Sequence, residues 1–143
     1  MEFHKQAFLH KPEEGVYGDC YRTCLACLLD LERDEVPQYY GPDISVDEVL
    51  DLYDEWLAER GLIEITVLYS SIVPLQEILD SVANCNPKLG FYMLTGTSKT
   101  DVNHVVICNG NQIVHDTSLN NAGIIGPADD GFYRISFLGL NLL

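Results

Sequence analysis

The change of pattern near residue 90 constrains the fold more than any other feature of the sequence. After Gly90 come four runs of β-branched and aromatic residues, GFYMLTG, HVVIC, QIVHD and FYRISFL, separated by turn-forming residues. Before it, the spacing of apolar residues predicts helices, interrupted by one strand, IEITVLY. Helices first and antiparallel strands afterwards predict an α+β domain, with a core N-terminal helix packed on an antiparallel sheet of roughly four to six strands.

The helices have clear sequence boundaries. The first is expected to begin at Asp19 or Cys20 and to run to about Leu31. Ser45 and Glu48 have the spacing of a capping box that begins a second helix, which Gly61 would end. Pro74 suits the first turn of a third, shorter helix, PLQEILDSVA. No repeat or linker divides the 143 residues, so residues 1–143 are expected to form a single domain.

Charge and cysteine content restrict the classes of function. Twenty-two acidic against eight basic residues give a net charge of −14, which argues against nucleic-acid and membrane partners. If the substrate is a peptide or protein, this charge favours a basic one. The acidic stretch DEVLDLYDEWLAE is interpreted as a solvated helix face, the alternative being an anionic surface that binds a basic partner. The N-terminus lacks the layout of a signal peptide, so the five cysteines are expected to be reduced thiols in the cytoplasm.

Three cysteines, Cys20, Cys24 and Cys27, crowd the first predicted helix. Their spacing is that of an iron–sulfur loop, but it coincides with one helical stripe, and no downstream Cys or His pair completes a zinc site. We therefore expect no metal and no other cofactor. Cys24 and Cys27 are interpreted as small apolar core residues, and the same interpretation is given to Cys85 and Cys108.

Cys20 differs from the other cysteines because the sequence GVYGDC places it at the mouth of the helix. Unpaired backbone N–H groups and the helix dipole at that position are expected to stabilise a thiolate, whereas the neighbouring Asp19 opposes it and would require a compensating imidazolium. A thiolate there can attack an acyl carbon, and its own N–H can donate to the oxyanion. Cys20 is therefore the predicted nucleophile.

The stretch HVVICNGNQIVHD supplies a candidate base. Asn109-Gly110 between apolar runs predicts a β-hairpin. A three-residue loop centred on Gly110 would place His104 opposite Asp116, and a two-residue loop would place it opposite His115 and diagonal to Asp116. Either register brings His104 and Asp116 side by side, as a general base and its orienting acid. His115 is kept as a reserve base.

These two blocks together resemble a known family. The stretches GDCYRTCLACLLDLERDEVP and NHVVICNGNQIVHDTS are similar to the core helix and hairpin of small papain-like proteins from phages and bacteria, and more distantly to the peptidases that remove double-glycine leaders of bacteriocins. The resemblance implies a papain-like fold with Cys20 as nucleophile, His104 as general base and acid, and Asp116 as orienting residue. The family's second oxyanion donor is a Gln a few residues before the nucleophile. Residues 13–19 contain none, and Gln6 is the nearest candidate.

The resemblance implies a cysteine-dependent hydrolase or acyl transferase that acts on a peptide, isopeptide or side-chain amide through a Cys-His-Asp triad. Peptide cleavage and deamidation of Gln use the same three residues. The implied location is the cytoplasm of a bacterium or of a phage-infected host cell. The alternative is a non-catalytic acidic binding protein, a phage-type inhibitor or DNA mimic on a papain-like scaffold.

Overall fold

A computed structural model describes residues 1–142 of the chain. Within them an antiparallel sheet of five strands has the order β1-β5-β2-β3-β4. The α+β prediction is thus confirmed. None of the helices within residues 1–142 is long and apolar enough to cross a membrane. The helices are α1 (Cys20–Leu29), α2 (Val46–Ala58) and α3 (Leu75–Cys85), and the strands are β1 (Leu62–Ser70), β2 (Phe91–Thr97), β3 (Asn103–Asn109), β4 (Gln112–Asp116) and β5 (Phe132–Leu140).

The helices lie on both faces of the sheet. Because neighbouring residues of a strand point to opposite faces, Val105 of β3 belongs to the apolar cluster that contains residues of α1 and α2, while Val106 belongs to the cluster that contains residues of α3. α1 contributes the fully buried Cys24 and Cys27, as expected for core residues. The helix ends at Leu29 rather than Leu31, because Asp30 adopts a left-handed φ of 58° and the N–H of Leu31 returns to the Ala26 carbonyl at 2.9 Å.

The predictions for the boundaries of α2 are confirmed, whereas those for Cys85 and Cys108 are confirmed only for Cys108. The Ser45 hydroxyl accepts the Glu48 N–H at 3.2 Å and so caps α2, and Gly61, with a φ of 71°, follows its end. Cys108 is buried in β3, as expected. The core interpretation of Cys85 is wrong: it is the last residue of α3 and its side chain is exposed, because the apolar stripe of α3 is formed by Ile78, Leu79 and Val82.

The hairpin of β3 and β4 forms in a register that differs from both predicted ones. Its loop is Gly110-Asn111, with Asn109 paired to Gln112, and a bulge follows in which Cys108 faces Ile113 while Ile107 faces His115. The extra residue is Val114. Without it His115 would stand opposite Val106; with it, Asp116 takes that position. The bulge therefore decides which polar side chain shares a face with His104.

Candidate active site

His104 and Asp116 are joined by a hydrogen bond of 2.7 Å between Nε2 and Oδ1. Asp116 stands opposite Val106, so the two side chains are diagonal neighbours at the open end of the hairpin. Backbone N–H groups of Ser118 and Gly123 donate to Asp116 at 2.9 and 2.7 Å. The contact uses Nε2 of the imidazole and leaves Nδ1 for proton exchange with another group.

The hydrogen bonds around Asp116 hold its side chain in the charged form. Burial opposes ionisation, but the bond from His104 and the two backbone N–H bonds outweigh it and lower the pKa of Asp116 to about 2. The carboxylate is thus ionised throughout the range in which an imidazole titrates. Its charge can stabilise an imidazolium at His104 and hold the ring in one orientation.

The lowered pKa of Asp116 predicts a pH-dependent contribution to stability. The folded-state pKa of Asp116 lies below its unfolded value near 4. Its contribution to the free energy of unfolding is therefore complete above about pH 4 and disappears as the pH falls towards 2. The contribution amounts to about 2 kcal/mol at most. Urea unfolding of wild type and Asp116→Asn should show a difference in unfolding free energy at pH 7 that shrinks between pH 4 and pH 2. A difference that stays constant over this window would contradict the lowered pKa.

Cys20 and His104 line one cavity at the N-terminus of α1. Cys20 is the first residue of the helix, and the residue as a whole is half-buried. The side chains of Gln6, Ser98 and Asn103 are among the polar groups that share this cavity. No carboxylate from residues 1–142 lines it, although the molecule carries a net charge of −14.

The environment of Cys20 differs from the predicted one. Burial raises the pKa of its thiol to about 11; the N–H of Val105 lowers the pKa in part, and the Asp19 carboxylate raises it further. The prediction of a helix-stabilised thiolate is therefore wrong, because loss of solvent at this position outweighs the N–H groups at the helix mouth. The resting group is a neutral thiol, which must lose its proton when it attacks.

Gln6 reaches the cavity from the N-terminal coil. Its backbone N–H donates to the Thr117 carbonyl at 2.8 Å, and its side-chain Nε2 donates to the Phe8 carbonyl. The amide is buried, and its Oε1 is without a hydrogen-bond partner among the described residues. A primary amide has two N–H donors, so the bond to Phe8 leaves one for a ligand in the cavity.

Asp19 makes tertiary contacts that were not predicted from the sequence. Its fully buried carboxylate does not cap α1. It accepts the N–H groups of Ala7 and Phe8 at 3.1 and 2.9 Å, and the Arg22 guanidinium pairs with it at 3.1 Å. The contacts join the start of the helix to a coil twelve residues earlier, where no periodic pattern exists that could have revealed them.

The other candidate residues lie elsewhere. His115 stacks on Phe3 with ring centroids 4.7 Å apart and its Nε2 contacts the His4 carbonyl at 2.6 Å, so it does not line the cavity and is not placed as a reserve base. Within residues 1–142, no group of three or more His, Cys, Asp or Glu side chains is arranged to hold a metal ion. Cys24, at the centre of the cysteine triplet, instead contacts the Val105 carbonyl at 3.6 Å.

Comparison of the chain with protein-family models, with curated proteins and with solved structures finds no match.

Proposed function

We propose that the protein is a papain-like cysteine hydrolase or acyl transferase with Cys20 as nucleophile. The observation that carries the proposal is the bond of 2.7 Å between His104 and Asp116, made by an imidazole that lines the same cavity as Cys20. A thiol, an imidazole and a carboxylate in this order form a catalytic triad. The position of Cys20, a half-buried residue at a helix N-terminus, further supports the assignment.

In the first step, Cys20 transfers its proton to Nδ1 of His104 as its sulfur attacks the acyl carbon. Because the resting thiol is neutral, proton transfer and attack are coupled, and His104 acts as a general base. A carbon–sulfur bond forms while the carbonyl π bond opens to an oxyanion. The backbone N–H of Cys20 and the second N–H of the Gln6 amide are the proposed donors to this oxyanion.

In the second step, the imidazolium of His104 protonates the leaving amine as the carbon–nitrogen bond breaks. Asp116, ionised above a pKa of about 2, stabilises the imidazolium until it has given up the proton. The product is a thioester on Cys20. Water, deprotonated by His104, hydrolyses this thioester in a hydrolase; an acceptor amine takes its place in a transferase.

The proposed substrate is a peptide or protein, with peptide, isopeptide and side-chain amide bonds as candidate targets. Cleavage of a peptide bond and deamidation of Gln differ only in the leaving amine. The net charge of −14 favours encounter with a basic protein, although the described part of the chain places no carboxylate on the cavity wall. Five free thiols, three of them fully buried, suit a reducing cytoplasm.

The competing function is that of an acidic binding protein without catalysis. One observation favours it: the acids of α2 form an exposed surface, made by Asp47, Glu48, Asp51, Asp54 and Glu55. Such a surface suits a basic partner and needs no reactive thiol. The two functions therefore predict different behaviour for Cys20.

A simple acyl donor distinguishes the two functions. With p-nitrophenyl acetate we expect a stoichiometric burst of nitrophenolate and an acetyl group on the peptide that contains Cys20, because the triad stabilises acyl transfer to this sulfur. Stopped-flow absorbance and peptide mass mapping measure the two results.

Cys85 is a matched control within the same molecule, since it is an exposed thiol at the end of α3. It should acquire the acetyl group more slowly than Cys20, although it is the more accessible sulfur. Labelling of Cys85 ahead of Cys20, or the absence of a burst, would favour the binding protein.

A further inference from the structure

The Asp19 carboxylate disfavours ionisation of the neighbouring Cys20 thiol. Its carboxylate raises the pKa of the Cys20 thiol, which burial has already raised, and a charge with this effect opposes the attack of sulfur. Yet Asp19 is fully buried, where an ionised group requires strong compensation. The compensation comes from the two backbone N–H groups of Ala7 and Phe8 and from Arg22.

We propose that Asp19 is a positioning residue that holds the Gln6 amide on the cavity wall as the second oxyanion donor. The inference rests on the proposed function and concerns the same cavity. Asp19 engages the two residues that directly follow Gln6, one with each carboxylate oxygen. Charge-assisted hydrogen bonds of this kind fix the backbone on which the amide is carried.

The segment of residues 5–8 is held at its other side by the strand end that carries Asp116. The Gln6 N–H donates to the Thr117 carbonyl, and Lys5 Nζ donates to the carbonyls of Asp116 and Ser118 at 2.7 and 3.0 Å. The coil therefore links the residue before the nucleophile to the residue that orients His104. Loss of the Asp19 contacts would release the side of the segment that faces Cys20.

Two reactions of the Cys20 sulfur distinguish a positioning role of Asp19 from a purely electrostatic one. Alkylation by iodoacetamide is a displacement at a saturated carbon and forms no oxyanion, so it reports the ease of deprotonating Cys20. Acylation by p-nitrophenyl acetate passes through an oxyanion and depends on the donors as well. A positioning residue that also raises the thiol pKa should affect these rates in opposite directions.

For Asp19→Asn we expect faster alkylation and slower acylation of Cys20. Alkylation at pH 7 should rise roughly 3- to 10-fold because the variant loses the negative charge beside the thiol. Acylation should fall roughly 10- to 100-fold, because Asn presents an NH2 group to backbone N–H donors and the amide of Gln6 loses its position.

Gln6→Ala is the reference for the oxyanion donor itself. It should slow acylation by a similar factor and leave alkylation unchanged. In the double variant, acylation should be no slower than in Gln6→Ala alone, because the two residues act through one group. Ala7→Pro removes one N–H that Asp19 accepts while keeping the charge, and should slow acylation alone; it serves as the test if Asp19→Asn does not fold.

The outcomes separate this proposal from the proposed function. Equal losses of alkylation and acylation in Asp19→Asn, with unchanged behaviour of Ala7→Pro, would mean a general structural contribution and overturn the positioning inference. Faster alkylation with unchanged acylation would leave Asp19 as an electrostatic neighbour only, with the same consequence. If wild-type Cys20 is acetylated no faster than Cys85, the proposed function itself fails, whatever Asp19→Asn does.

Discussion

Replacing Cys20 with alanine is expected to abolish acyl transfer, with a loss of at least about 10³-fold in turnover of p-nitrophenyl acetate. The reason is that, among the residues the structure describes, Cys20 is the one sulfur-bearing residue that lines the cavity beside His104. The oxyanion donors alone retain weak catalysis by water, which sets the residual rate. Turnover measured by nitrophenolate release, with folding checked by circular dichroism, tests the expectation.

Cys27→Ala provides the matched control for this variant. Cys27 lies on the same helix and is fully buried in the core, away from the cavity. Its replacement should reduce the unfolding free energy by about 1 kcal/mol and leave turnover intact. If Cys20→Ala retains wild-type turnover, another group is the nucleophile and the proposed mechanism is wrong.

Replacing His104 with alanine is expected to slow acylation of Cys20 by about 10³-fold at pH 7. Burial raises the pKa of the Cys20 thiol to about 11 and keeps it neutral, so attack by its sulfur requires a nearby general base. Stopped-flow acylation measures the effect directly. Asp116→Asn should cause a smaller loss, because the ring keeps an acceptor beside Nε2 while losing the charge that stabilises the imidazolium.

His115→Ala is the control for the loss of an imidazole. This residue precedes Asp116 in β4, but its ring packs on Phe3 and contacts the His4 carbonyl. Acylation should therefore stay near the wild-type rate. A loss comparable to that of His104→Ala would show that the reserve base predicted from the sequence is the functional one.

Local signals in the sequence predicted the elements well. The Ser45 cap and Gly61 bracket α2, Pro74 stands at the start of α3, and the strand runs after Gly90 correspond to strands of one sheet. Each depends on a backbone preference or on periodic burial, both of which act within a few residues. The proximity of His104 and Asp116 also follows from local information, since one hairpin carries both.

The details of the site depended on contacts between distant segments, and these were not predictable. The bulge at Val114 moves Asp116 to the face of His104, where N–H groups from Ser118 and Gly123 hold it. A bulge adds only one residue to one strand, so the alternation of apolar residues in the sequence is compatible with more than one strand register. The raised pKa of Cys20 and the contacts of Asp19 likewise depend on tertiary packing.

The rate of Cys20 alkylation by iodoacetamide at pH 7, compared between wild type and His104→Ala, tests most directly whether this imidazole activates this thiol. It needs no knowledge of the substrate, and peptide mass mapping resolves Cys20 from the other thiols. Wild type is expected to react about 10²-fold faster, and in His104→Ala the rate should rise about tenfold per pH unit, as for a thiol with a pKa of about 11 and no base. Equal rates in the two proteins would show that His104 does not activate Cys20.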